Sequence, residues 1–181
     1  GGLESLWTRR PVVHLVRGGA FFMAYTCYYL SLASLPLAEA AALYFTAPLF
    51  LVALSVPLLG EKVGVQRWLA VCIGFLGVLI ILRPGASVVD PASILALLSA
   101  LAYAISGVLT RRLGGTDNSS SMAFYTTVFY LIVTAVIGMI LGDGALFRGG
   151  HASMEFLLRA WTLPSWSDLG LMALLGLIAA S

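Results

Sequence analysis

The sequence has 181 residues, 60% of them hydrophobic and only 10% charged, with a formal net charge of +2. An average soluble domain carries about 25% charged residues, so this chain could not clothe a globular surface, and without a dense basic face it is not expected to bind nucleic acid. Composition therefore predicts an all-α integral membrane protein, with the lipid bilayer as its solvent.

A helix crossing a bilayer needs about 20 predominantly apolar residues. Runs near 18–35, 38–59, 65–82, 91–110 and 121–141 qualify, and an incomplete one begins near 168. Backbone groups in lipid must pair within their own segment, so each run reads as a helix. The expectation is five full spans and the start of a sixth. The first residue is Gly1 and the last apolar run stops at Ser181, which suggests a piece of a longer membrane protein.

Ahead of the first span stand Arg9, Arg10 and Arg17. Lys62 and Arg67 follow the second span and Arg111 and Arg112 the fourth, so seven of the ten basic residues fall on one side. By the positive-inside rule that side is cytoplasmic. Arg83, Arg148 and Arg159 fall on the other. The first span itself offers Tyr25 and Tyr29, with Phe22 nearby. Such rings and hydroxyls suit a substrate with flat apolar parts and hydrogen-bonding groups, or else helix packing.

"SLPLAE" joins the first two spans in so few residues that they are expected to be antiparallel neighbours. The second, "PLAEAAALYFTAPLFLVALSVPLLGEKVG", carries no charge between Glu39 and Glu61 but contains Pro48 and Pro57. Neither proline offers an N–H, so the carbonyls of Tyr44 and Ala53 are freed and the helix is expected to bend. A twice-bent helix can line a cavity, act as a hinge, or simply be kinked. Glu39 shares a face with Leu43, Thr46 and Phe50; it either complements the helix dipole or receives a cation or proton.

In the third span, Gly74 and Gly77 of "CIGFLGVLII" are too close together for G-x-x-x-G and are read as thinning the helix for packing. The fourth, "SILALLSALAYAISGVLTRRL", sets Ser99, Tyr103, Ser106 and Thr110 on one face. Beside them runs a stripe of Ala96, Ala100, Ala104 and Gly107. The polar face serves either interhelical hydrogen bonding or a polar cavity. The fifth span repeats the device, Thr127, Tyr130 and Thr134 sharing a face with Ala123 and Gly138. The outer segment from 142 to 166 contains "MEFLLRAW", read as a short interfacial helix with Trp161 and Trp166 at headgroup level.

No Ser–His or Cys–His set, mid-membrane carboxylate pair, H-E-x-x-H or phosphate loop is present in the sequence, so no enzyme, catalytic residue, metal or cofactor is expected. His14 and His151 are isolated. Cys27 and Cys72 are read as small buried hydrophobes rather than a disulfide.

"LVRGG", "SLPLAEAAALYFTAPLFLVALSVPLLGEKVG" and "RWLAVCIGFLGVLIILRPG" together resemble the third to fifth helices of an EamA-type transporter of the drug/metabolite transporter superfamily. "ASILALLSALAYAISGVLTRRL" resembles the helix that opens that family's second repeat. The resemblance runs from Arg9 to Ser181, weakest between Gly142 and Trp166, and Pro57 departs from it. It implies a fragment of a ten-helix bundle built from two inverted five-helix repeats, with 1–90 ending the first repeat and 91–181 opening the second. It also implies alternating access in a bacterial inner membrane for small metabolites such as amino acids. The rival expectation is a non-transporting membrane scaffold; neither reading sets the oligomeric state. Under the carrier reading the cavity residues expected are Tyr25, Tyr29, Glu39, Thr46, Pro48, Ser99, Tyr103, Ser106, Thr127, Tyr130 and Thr134.

Overall fold

The computed structural model describes residue 8 and residues 10–82, 90–144 and 150–180. Arg9, Arg83 and Arg148, used in the charge count, lie outside the described residues. Among the described residues every regular element is a helix: α1 (Pro11–Leu32), α2 (Leu37–Tyr44), α3 (Ala47–Leu59), α4 (Val65–Leu82), α5 (Pro91–Leu113), α6 (Ser119–Leu141), α7 (Ala152–Leu158) and α8 (Trp166–Ala180). The protein is an all-α helical membrane bundle. Three segments are long and apolar enough to cross a bilayer, Leu37–Leu59, Pro91–Leu113 and Ser119–Leu141, while Val65–Ile81 and Trp166–Ile178 are shorter apolar helices.

α1 differs from expectation. It begins seven residues earlier than the predicted start at 18, because Pro11 at the helix start supplies the φ a first turn needs and the helix continues through the charged stretch. His14 and Arg17 are thereby drawn into the helix and buried.

The second predicted span is broken rather than bent at its first proline. α2 ends at Tyr44 and α3 starts at Ala47, placing Pro48 in the first turn of a new helix, where a missing N–H costs nothing. Thr46 stabilises the break: its N–H and its hydroxyl both donate to the Leu43 carbonyl, at 3.2 and 2.7 Å. Pro57 lies inside α3. The turn after α3 is made by Gly60 at φ +69°, a left-handed C-terminal cap favoured by glycine because no Cβ meets the backbone there.

α5 has the strongest local signals. The Asp90 carboxylate accepts from Ala92 N–H at 2.7 Å, Pro91 opens the helix, and Arg111 and Arg112 sit in its last turn against the negative dipole end. It is the central helix, packed against α1 along its length and against α3 and α2, while α6 flanks α1 and α4 flanks α3. The alanine stripe explains this placement. Ala96, Ala100 and Ala104 are fully buried, and small side chains let helix backbones approach without a hydrophobic drive from water. Gly18 does the same for α1 and α6: a Cβ there would sit 3.0 Å from the Phe129 ring. Leu49 fills the space over Gly74, whereas Gly77 faces open space. Both cysteines are free; Cys27 is buried, but Cys72 is exposed on α4, which packs against α3 and α2.

The two ends of the bundle carry separate charged sets. Glu61 after α3 pairs with Arg111 at the end of α5, at 3.6 Å. At the opposite end of α5, Asp90 lies 3.3 Å from His151, which also lies 3.5 Å from Ser34. The short helix of the outer segment is α7. It docks on α1 by a hydrogen bond from buried Ser153 to the Leu30 carbonyl, at 2.7 Å, and Trp161 lies over Gly138 of α6.

Candidate functional site

A cavity of about 840 Å³ opens between α1 and α6, closed at one end by Thr110 of α5. α1 contributes Arg17, Phe21, Tyr25 and Tyr29, four residues at strict i, i+4 spacing and therefore on one helical face. α6 contributes Ser119, Met122, Ala123, Thr126, Thr127 and Tyr130, spaced three and four apart along its own face. The volume lies within the range of pockets that hold drug-sized solutes.

One wall is aromatic. Tyr25 lies 6.4 Å from both Phe21 and Tyr130, centroid to centroid, and Tyr130 also meets Phe22 edge-on at 5.7 Å. The rings continue past the cavity: Phe21 meets Tyr103 edge-on at 5.8 Å, Tyr103 meets Tyr44 at 5.6 Å, and Tyr44 meets Tyr28 at 5.1 Å. Tyr44 is the last residue of α2, so this chain of rings runs from the cavity wall to the helix break. Tyr25 and Tyr29 are about half exposed, whereas the Tyr130 hydroxyl is buried without a hydrogen-bond partner.

The same face of α1 carries a buried cation nearer the helix start. Arg17 is only 5% exposed. Its guanidinium donates to the Met122 carbonyl and the Thr126 hydroxyl at 2.6 Å each, and to the Thr110 hydroxyl at 3.3 Å. It sits 5.6 Å from the Phe21 ring centroid, within cation–π reach. These neutral acceptors come from α5 and α6, so Arg17 ties three helices together.

One turn nearer the start of α1 is a second polar cluster. The Asp117 carboxylate, in the α5–α6 connection, accepts from Thr8 at 2.8 Å and sits 2.7 Å from His14 Nε2. His14 is buried, with its ring 4.8 Å from that of Tyr125. The His14 hydrogen bond, then that of Thr8, then the charges of His14 and Arg10 hold the Asp117 carboxyl below its usual range against the opposing effect of burial.

Of the residues singled out in the sequence, Tyr25, Tyr29, Thr127 and Tyr130 line the cavity together. Tyr103 joins its aromatic wall from behind. Ser99 is fully buried elsewhere and donates to the Ala24 carbonyl of α1 at 2.7 Å, an interhelical bond. Ser106, also fully buried, donates to the Tyr103 carbonyl of its own helix. Thr134 is exposed further along α6, and Thr46 is spent on the α2–α3 break with Pro48 exposed beside it. Glu39 occupies the first turn of α2, partly exposed, outside the cavity. Arg17, Phe21, Met122 and Thr126 were not among the expected cavity residues. The four-residue spacing through Arg17, Phe21, Tyr25 and Tyr29 is the signal that could have found the first two.

The EamA-like transporter family matches residues 14–83. Over 175 residues the chain is 29% identical to an S-adenosylmethionine uptake transporter of Rickettsia prowazekii, covering 97% of this chain and 53% of that one. Over 179 residues it is 31% identical to a riboflavin transporter of Rhizobium johnstonii, covering 99% and 53%. A pseudopaline exporter of Pseudomonas aeruginosa is 31% identical over 126 residues, 68% of this chain and 42% of that one. The chain thus spans about half the length of the curated relatives it matches. No solved structure matches it.

Proposed function

The chain belongs to the EamA-like transporter family, and from that premise we propose that it supplies the solute cavity of a secondary carrier for small metabolites. The observation that carries the reading is the aromatic-walled cavity between α1 and α6, large enough for a solute the size of an amino acid or a nucleoside derivative. S-adenosylmethionine and riboflavin, named for two of its relatives, are both built around flat heteroaromatic rings, the kind of surface that Phe21, Tyr25, Tyr29 and Tyr130 would receive.

In the whole protein, residues 1–90 would end the first of two inverted five-helix repeats and residues 91–181 would open the second. The protein would be a multi-pass carrier of a bacterial inner membrane. Solute would pass by alternating access, the cavity opening to one side at a time as one repeat rocks against the other. The break at Phe45–Thr46, wired to the cavity through Tyr44, Tyr103 and Phe21, is the element best placed to move.

The test uses the full-length protein with Cys27 and Cys72 replaced. Thr127→Cys faces the cavity, whereas Val136→Cys, two and a half turns further along, lies on the opposite face of α6. A carrier should label at 127 with a water-soluble thiol reagent and stay inert at 136, and Tyr25→Ala should cut metabolite flux in proteoliposomes at least tenfold. Inertness of both positions, with no flux of any metabolite tested, would leave the non-transporting scaffold.

A further inference from the structure

Arg17 lies about 9 Å along α1 from the helix start and is only 5% exposed, and a buried charge without a counter-charge is expensive. The chain nevertheless buries its guanidinium and gives it only neutral acceptors. Among the described residues no carboxylate lies within ion-pair distance of it. The nearby acid, Asp117, is engaged by His14 and Thr8. Arg17 Nε also has no acceptor, and the Tyr130 hydroxyl on the same cavity is buried and unpartnered. Its terminal nitrogens pin three helices through Thr110, Thr126 and the Met122 carbonyl, yet none of these acceptors carries a negative charge. The charge is what the packing leaves unexplained.

We propose that Arg17 is the anion-binding residue of the cavity, so that the solute carries a carboxylate or phosphate attached to a flat ring system. The anion sits against the guanidinium, and the ring lies towards Tyr25, Tyr29 and Tyr130. The proposal rests on the carrier reading only for the fate of the solute; the binding site stands or falls separately. The neutral acceptors hold the guanidinium in place without neutralising it, which keeps its field available to a ligand.

The experiment takes the full-length protein in a neutral detergent and measures binding of two matched pairs. The first is riboflavin 5′-phosphate against riboflavin, and the second is S-adenosylmethionine against its decarboxylated counterpart. The unmodified protein should prefer at least one carboxylate- or phosphate-bearing member by about 10–100-fold, the worth of a hydrogen bond to a charged group. Arg17→Gln should erase that preference, bringing the two affinities within each pair together, and Arg17→Lys should retain part of it. Which pair responds distinguishes phosphate from carboxylate. Added phosphatidylglycerol should not compete; competition that erases the preference would assign Arg17 to a lipid headgroup and overturn the proposal. Equal binding of both members of both pairs to the unmodified protein would overturn it too, whether or not the Arg17 variants fold. Anion-selective binding without flux in proteoliposomes would sink the carrier reading and leave the site standing.

Discussion

Asp117 and Ser99 show how differently two buried polar contacts behave. The Asp117 carboxyl titrates below its usual value of 3.8 when folded, chiefly because His14 hydrogen-bonds it. A depressed carboxylate pKa means that its contribution to stability is complete above the unfolded value and is lost as pH falls through the folded one. Thermal unfolding of the full-length protein should therefore lose stability on acidification from about pH 5 downward, and Asp117→Asn should remove that part of the slope while lowering the melting temperature at neutral pH. An identical acid slope in the variant would show that the His14–Asp117 contact adds nothing. Ser99 is neutral, and its bond to the Ala24 carbonyl joins α5 to α1. Such bonds inside membranes contribute only about 0.6 kcal/mol on average, so Ser99→Ala should barely move the melting temperature or flux. Ser99→Leu would force a branched side chain into a fully buried contact and should cost about 1–3 kcal/mol. Large flux loss in Ser99→Ala at unchanged stability would instead make it a solute contact.

The break between α2 and α3 is the element whose behaviour Pro48 was expected to govern. Pro48 occupies the first turn of α3, and the bonds of Thr46 to Leu43 already close the preceding turn. Pro48→Ala therefore removes no existing bond and only makes possible a new one to the Tyr44 carbonyl. Stability should stay within about 1 kcal/mol of the parent. Flux, if the break is where the carrier moves, should fall, because a continuous helix would favour one of two conformations that must be close in energy. Melting temperature and flux measured on one preparation check both halves. Unchanged flux per folded molecule would make the break a static feature of packing. The contrast with α5 is instructive: there the N-cap, the opening proline, the alanine stripe and the terminal arginines all favour the same helix, and it spans Pro91–Leu113 without interruption.

For the molecule as a whole, the two charged ends predict its orientation. Glu61 and Arg111 meet at one end, whereas Asp90 and His151 meet at the other. Basic residues concentrate on cytoplasmic connections. In the cysteine-free full-length protein, Lys62→Cys and Arg112→Cys should label from the cytoplasmic side, and exposed Arg159→Cys from the opposite side. Labelling of all three from one side would overturn the assignment of spans.

Helix content, the short outer helix and the close packing of α5 were legible because they depend on local quantities: length, apolar run and small-residue spacing. Four of the candidates from the same local reading, Tyr25, Tyr29, Thr127 and Tyr130, line one cavity, since a polar or aromatic stripe on one helical face announces itself at i, i+4. It could not say which stripe faces a void and which faces a neighbour. Ser99 and Tyr25 look alike as polar positions in apolar helices, yet one is sealed against Ala24 and the other lines open space, because α1 packs far more extensively on α5 than on α6. Arg17 was counted only as a cytoplasmic charge. A cation two turns into a helix can snorkel outward or turn inward, and that choice rests on Thr110, Met122 and Thr126, about a hundred residues away, which only the packing of three helices brings to the guanidinium.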